Sequence, residues 1–282
     1  MVSINNTAVN SAVLASLRQT NADLATSQNR IASGLKIASA KDNASVWTTS
    51  QNIRKDLAAQ DTIDGNLAIA KGQADVAYSA LSSISDILDK MNTAASQLGN
   101  VGAAQNAQLG SDLKNYQEQL LAVAKTASMS GVNLLTSLPA AVVTTAIAQD
   151  QGSPINLTFT PTQILAADGS SGTLATIYAT AQIDASTSTS AITTYKGLFA
   201  AASTAVTSYM TSVGNYSKSV VAQQDFSAKV KDIRTNALSA LVDANMEEES
   251  ARVQSLQVKQ QLAFQALSIG NSSAQNILRL FQ

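Results

Sequence analysis

The 282-residue chain contains no cysteine and no histidine. Without thiols there is no disulfide scaffold, no thiolate metal site and no thiol nucleophile, although the compartment stays open. Without imidazole the commonest general acid-base group is missing. Aromatics make up 4% of the residues and charged side chains 13%, with a formal net charge of -1. So little charge excludes a strong long-range pull toward nucleic acid or anionic lipid. No apolar run approaches the roughly 18 residues that mark a membrane-spanning helix, so no membrane insertion is expected. The opening MVSINNTAVN has neither the basic segment nor the apolar stretch of a cleavable signal, so any export is expected to use another route. The prolines, Pro139, Pro154 and Pro161, all fall between residues 138 and 162, which leaves both flanks free to be helical.

What the chain does have is 45% hydrophobic residues, mostly Ala, Leu, Ile and Val rather than rings. That is enough to bury a core, and small side chains suit closely approaching helices. Apolar residues recur at alternating steps of three and four, the mark of a helix with one seam against another helix. Near the start the series is Leu14, Leu17, Leu24, Ile31, Leu35 and Ala38, with Asn21 and Gln28 at two seam positions. Near the end it is Val253, Leu256, Ala263, Leu267, Ala274, Ile277 and Phe281, interrupted at Gln260 and Gly270. The two ends therefore read as partners.

Between them Leu67, Ala70, Ala74, Ala77, Leu81, Ile84, Leu88, Met91, Ala95 and Leu98 fill every seam position and predict one long helix. After a break near Gly99, Leu109, Leu113, Tyr116, Leu120, Val123 and Ala127 predict an antiparallel partner, because the connection is short. A further helical stretch has Tyr195, Leu198, Ala202, Ala205 and Tyr209, then Phe226, Val230, Ile233 and Ala237 after a softer middle. In the centre INLTFTPTQI alternates like a strand and ADGSSGT reads as a turn. The fold class is mainly α: a long antiparallel bundle or coiled coil of paired N- and C-terminal segments, with a small β-containing insertion in the middle.

Catalytic readings find little support. SGLK, Ser33 to Lys36, matches a Ser-x-x-Lys pattern, but its companion elements are missing, and a structural helix end is the simpler reading. In MEEES, Met246 to Ser250, consecutive Glu side chains point around a helix rather than converge on a metal. Trp47, Tyr78, Tyr116, Tyr209 and Tyr216 suit interhelical packing better than a cofactor box. No enzyme, cofactor or metal is expected.

The segment RIASGLKIASAKDNAS closely resembles the flagellin signature in which an Arg-containing helix runs into Ser-Ser-Gly-Leu-Arg and then Ala-Lys-Asp-Asp/Asn-Ala. Ser33, Gly34, Leu35, Ala40, Lys41 and Asp42 match it. The closing QNILRL, with Gln275, Asn276, Leu278 and Leu280, is similar to the flagellin C-terminal motif. The likeness covers about residues 1 to 135 and 190 to 282. It implies a filament subunit whose terminal helices form an inner tube, whose longer helices form a shell, and whose small middle faces outward. By that resemblance residues 1–40 and 245–282 belong to the inner tube, 41–137 and 191–244 to the shell, and 138–190 to the insertion. It also implies an extracellular location, self-assembly into a helical homopolymer, and dealings with an export chaperone, the flagellar export apparatus, hook-associated proteins and a filament cap. A hook-filament junction protein and a chemoreceptor-like helical signalling rod are the alternatives. The rod would show charged flanks and a membrane span.

Within that frame Gly34 and the small residues after it predict a joint between the two layers, with Asp42 and Asn43 capping a helix that restarts near Val46. A terminal helix pair with polar breaks buries too little to offset roughly 1 to 2 kcal/mol of backbone entropy per residue. Residues 1–40 and 245–282 are therefore expected to be disordered in the free subunit and to fold on assembly. Flagellins sensed by the animal innate immune receptor carry Leu-Gln-Arg-Val/Ile-Arg-Glu-Leu on the shell helix. The corresponding LDKMNTA keeps Leu88, and Lys90 keeps the positive charge, but Asp89, Asn92 and Ala94 depart from it, so weak or absent activation is expected.

Overall fold

The computed structural model describes residues 7–136, 142–150, 153–178 and 189–280. In chain order these form α1 (Thr7–Ser33), α2 (Ala44–Gln97), α3 (Ala103–Thr126), β1 (Val143–Asp150), β2 (Ser153–Phe159), the short α4 (Ala175–Tyr178), α5 (Thr189–Val242) and α6 (Met246–Leu280). They divide into two compact units. A terminal unit takes Met1–Leu57 with Asp232–Gln282, and a central unit takes Ala58–Lys231.

In the central unit the long seam of α2 is the backbone of the core. All ten residues from Leu67 to Leu98 in that series are at most 3% exposed. Small Ala at four of them lets neighbouring helices approach closely. The chain then reverses at Gly99, which sits at φ +80° as left-handed helix ends require, and its N–H donates to Asn106 Oδ1 (3.1 Å). α3 turns Leu113, Leu120 and Ala124 inward. α5 contributes Phe199, Ala202, Val206, Tyr209, Val213, Tyr216 and Val220. The stretch that looked softest in sequence, around Val213 and Tyr216, is thus among the best buried. Phe226, in contrast, is 57% exposed despite its seam spacing.

β1 and β2 pair antiparallel, with an irregularity between Ala146 and Ala148. The hairpin is held on α5 by side chains. Gln223 Nε2 donates to the carbonyl of Ile147 (2.9 Å), the residue left over by the irregularity. The Tyr216 hydroxyl pairs with Thr145 Oγ1 (3.1 Å), and Phe159 stacks on the Tyr216 ring at 4.6 Å. Tyr209 donates to Leu134 O (2.7 Å), and burial pushes its phenol up to about 12. Phe159, Ile164, Leu165, Leu174 and Ile177 belong to the same buried cluster as the helices, so segment 153–178 shares their core. The predicted turn at ADGSSGT is built by Asp168, whose Oδ1 accepts from the Ser170 N–H (2.9 Å) and hydroxyl (2.6 Å).

Candidate assembly site

Helix α1 stops at Ser33 because Gly34 takes φ +71° while its N–H still reaches Arg30 O at 2.8 Å. Leu35 then runs antiparallel to Asp243, which lies in the break between α5 and α6. Lys36 N–H donates to Val242 O (2.7 Å) and Ala244 N–H to Gly34 O (2.9 Å). The two helix breaks therefore satisfy each other's backbone groups. Lys36 Nζ donates to Ala240 O (3.2 Å), placing a cation at the negative end of α5. The amine is thus turned toward α5, whereas Ser33 Oγ bonds locally to Arg30 O and Leu35 O (3.5 Å each).

Asp42 folds the exposed turn carrying Ala40 and Lys41. Its Oδ2 accepts from Ser39 N–H (2.9 Å), Ser39 Oγ (3.1 Å) and Ala38 N–H (3.1 Å), and these bonds, the Ser39 N–H first, hold its carboxyl below the usual range. Asn43 caps α2 by accepting from Val46 N–H (3.1 Å). Asn245 caps α6 in the same way through Glu247 and Glu248. Beside the joint lies a groove of about 590 Å³ lined by Thr26, Asn29, Arg30, Ser33, Lys36 and Asp42.

α1 packs against α6. On α6 the inward residues are Glu249, Val253, Leu256, Gln260, Ala263 and Leu267, the spacing read from the sequence. Ala274 and Ile277 lie beyond the described side chains, and Phe281 lies outside the described residues altogether. On α1 the inward series is Val13, Leu17, Thr20, Leu24, Ser27 and Ile31, while Leu14, Asn21 and Gln28 face outward and Leu35 is half-buried. The polar seam positions are therefore hydroxyls. Thr20 Oγ1 returns its proton to Ser16 O (2.9 Å), so it is buried without an orphaned donor. Asn21 Oδ1 reaches around to accept from Gln260 Nε2 (2.8 Å).

One carboxylate enters this seam. Glu249 is 6% exposed, and its Oε1 accepts from Arg30 Nη1 at 3.0 Å. Burial pushes its pKa up, but the Ser27 hydroxyl and the guanidinium groups of Arg30 and Arg252 outweigh that and hold it below the ordinary value of 4.5. Glu247 and Glu248 face outward, so the three carboxylates do not converge. Among the described residues no group of three metal-ligating side chains comes together.

α6 carries a second apolar face. Val258, Leu262 and Ile269 are each more than half exposed, and at about 100° per residue they fall opposite the inward series, whereas the exposed Phe264 lies only about 60° from it. Sequence reasoning took only the first face, although Val258, Leu262 and Ile269 repeat at helical spacing. In the immune-pattern stretch, Leu88 and Ala94 point into the central core, and Asp89, Lys90 and Asn92 are exposed. Ala94 therefore offers nothing to a partner, and the departures that face solvent are Asp89 and Asn92. Trp47 and Tyr116 are half-buried, Tyr209 and Tyr216 are buried, and Tyr78 is 48% exposed.

Comparison with known proteins bears on this geometry. The family described as the bacterial flagellin N-terminal helical region matches residues 4–138, and the bacterial flagellin C-terminal helical region matches residues 197–281. The chain is 33% identical to flagellin FljK of Caulobacter vibrioides over 99% of its own length and 98% of that protein. It is 30% identical to a flagellin of Brucella melitensis over 95% of each chain. With flagellin C of Rhizobium meliloti it shares 27% identity over the whole of both.

Proposed function

Because the chain belongs to the bacterial flagellins, structural subunits that self-assemble into the extracellular filament used for motility, we propose that the second apolar face of α6 is the surface neighbouring copies close. The observation that carries this is the two-sidedness of α6: apolar residues line opposite flanks, and α1 covers one. Fully burying a Val, Leu, Ile or Phe side chain contributes about 1.5 to 3 kcal/mol. Three that are more than half exposed therefore leave a few kcal/mol for a docking neighbour to supply.

On this reading residues 1–40 and 245–282 are inner-tube segments that complete their folding as a subunit docks. The joint at 34–43 joins them to the shell segments 41–137 and 191–244, and 138–190 faces outward. Head-to-tail repetition that does not close gives a helical filament. The site residues carry structural roles: Ser33, Gly34, Leu35, Ala40, Lys41 and Asp42 form the joint, and Leu17, Leu24, Ile31, Val253, Leu256 and Leu267 the seam. An export chaperone, the export apparatus, hook-associated proteins and a filament cap are the further partners this assembly route calls for. The family is structural rather than enzymatic.

The test is seeded growth followed by electron microscopy. The unaltered chain elongates seeds into regular tubes, and Val258→Asp with Leu262→Asp stops elongation while leaving monomer circular dichroism unchanged. Normal tubes from that double variant would show that this face of α6 is not the contact.

A further inference from the structure

The central unit presents two solvent-facing features on α5 and the adjoining face of α2 that nothing among the described residues covers. One is a hollow of about 570 Å³ formed by Tyr78, Met210 and Gly214, with Asp75, Thr211 and Lys218 at its rim. A Cβ on Gly214 would meet no atom within 4 Å, and its φ is not positive. Neither crowding nor backbone conformation therefore calls for glycine there, and in mid-helix glycine is destabilising relative to alanine. The Tyr78 ring, 48% exposed, forms one side of the space it leaves. The other feature is Phe226, a 57% exposed ring flanked by Asp225 and Lys229.

We propose that Phe226 of one copy inserts into the Tyr78–Gly214 hollow of a second copy of this chain, making a knob-in-hole contact along the filament. Charge complementarity supports this occupant. Asp225 stands beside the knob and Lys218 beside the hollow, and neither forms an ion pair among the described residues. Twelve residues separate Gly214 from Phe226, which at about 100° and 1.5 Å per residue is roughly 120° around α5 and 18 Å along it. Knob and hollow thus sit on different flanks, so each copy can receive on one side and insert on the other. Such a heterologous contact propagates rather than closes.

The proposal rests on the filament reading, and the experiment separates the two. Phe226→Ala and Gly214→Leu are expected to raise the critical concentration for seeded growth about tenfold or more, the loss typical of a central interface residue. Monomer unfolding curves serve as the control. Lys218→Asp and Asp225→Lys each weaken growth, and the double exchange restores it. Because the chain has no cysteine, Tyr78→Cys with Phe226→Cys is expected to yield intermolecular disulfide ladders in filaments only. Wild-type growth by Phe226→Ala, or filaments of the cysteine pair that do not cross-link, would overturn the contact while leaving the filament reading intact. Failure of the unaltered chain to elongate seeds would bring down the filament reading and this contact with it.

Discussion

A carboxylate pressed between two helices ties the terminal unit to pH. Glu249 has a folded pKa below its unfolded value, so the ion pair with Arg30 stabilises above the ordinary glutamate pKa of 4.5 and is lost as the pH falls through the lower, folded value. Filaments are therefore expected to dissociate on acidification below about pH 4.5, and Glu249→Gln should flatten the acid limb of a light-scattering titration. Arg30→Ala leaves a buried charge without its partner. Arg30 is 30% exposed, so the cost falls between that of an exposed and that of a fully buried pair, about 1 to 3 kcal/mol, seen as a lower filament melting temperature at neutral pH. A second residue-scale expectation concerns the exposed face of α2. Asp89 places a negative charge and Asn92 a neutral amide where receptor-activating flagellins have Gln and Arg, and Lys90 lacks the planar fork of Arg. Reporter cells should respond weakly to the native chain and more strongly to the D89Q/K90R/N92R variant; an unchanged response would exclude these positions as the cause.

Among the elements, legibility in sequence tracked how strictly apolar each seam is. The α2 series is Leu, Ala, Ile and Met throughout, so its period alone identified the core face. Leu81→Ala should therefore cost about 2 to 5 kcal/mol in urea unfolding of the monomer. On α1 the inward face includes Thr20 and Ser27, whose polarity hides them, while Leu14 beside Val13 offers a competing apolar frame. Leu17, Leu24 and Ile31 fall on the seam as their spacing predicts, but Leu14, Asn21 and Gln28 each lie one residue past the inward Val13, Thr20 and Ser27. What no hydrophobic pattern could reveal is the hairpin's attachment, because it depends on Gln223 and Tyr216 reaching β1 from α5. Tyr216→Phe keeps the ring stack on Phe159 and removes the bond to Thr145, so a loss of about 1 kcal/mol is expected in the same urea experiment. The opposite surprise is Phe226, at seam spacing yet exposed. Ile233 and Ala237, which continue its spacing, are exposed too, whereas Ser227 is buried, so the apolar series on this half of α5 marks mostly the outward face rather than the seam.

At the scale of the whole molecule the two units differ in what holds them. The central unit, Ala58–Lys231, owns a continuous buried cluster that draws on α2, α3, α5 and the segment after β2. Among the described residues the terminal unit fully buries few apolar side chains, Leu17, Ile37, Val242 and Leu256, beside hydroxyls and an ion pair, and it leaves a second face of α6 open. Ordering each residue costs roughly 1 to 2 kcal/mol of backbone entropy, and a unit with a thin seam sits nearer the point where that cost wins. Limited proteolysis of the monomer should accordingly trim both ends first and leave a resistant fragment centred on Ala58–Lys231. The same digestion of filaments should spare the ends, because docking covers the second face of α6. Removing residues 1–40 and 245–282 is then expected to leave helical circular dichroism and cooperative urea unfolding while abolishing seeded growth. Ends that resist protease equally in monomer and filament would mean that the terminal unit is stable alone, and docking would have to be driven by contacts of the central unit instead.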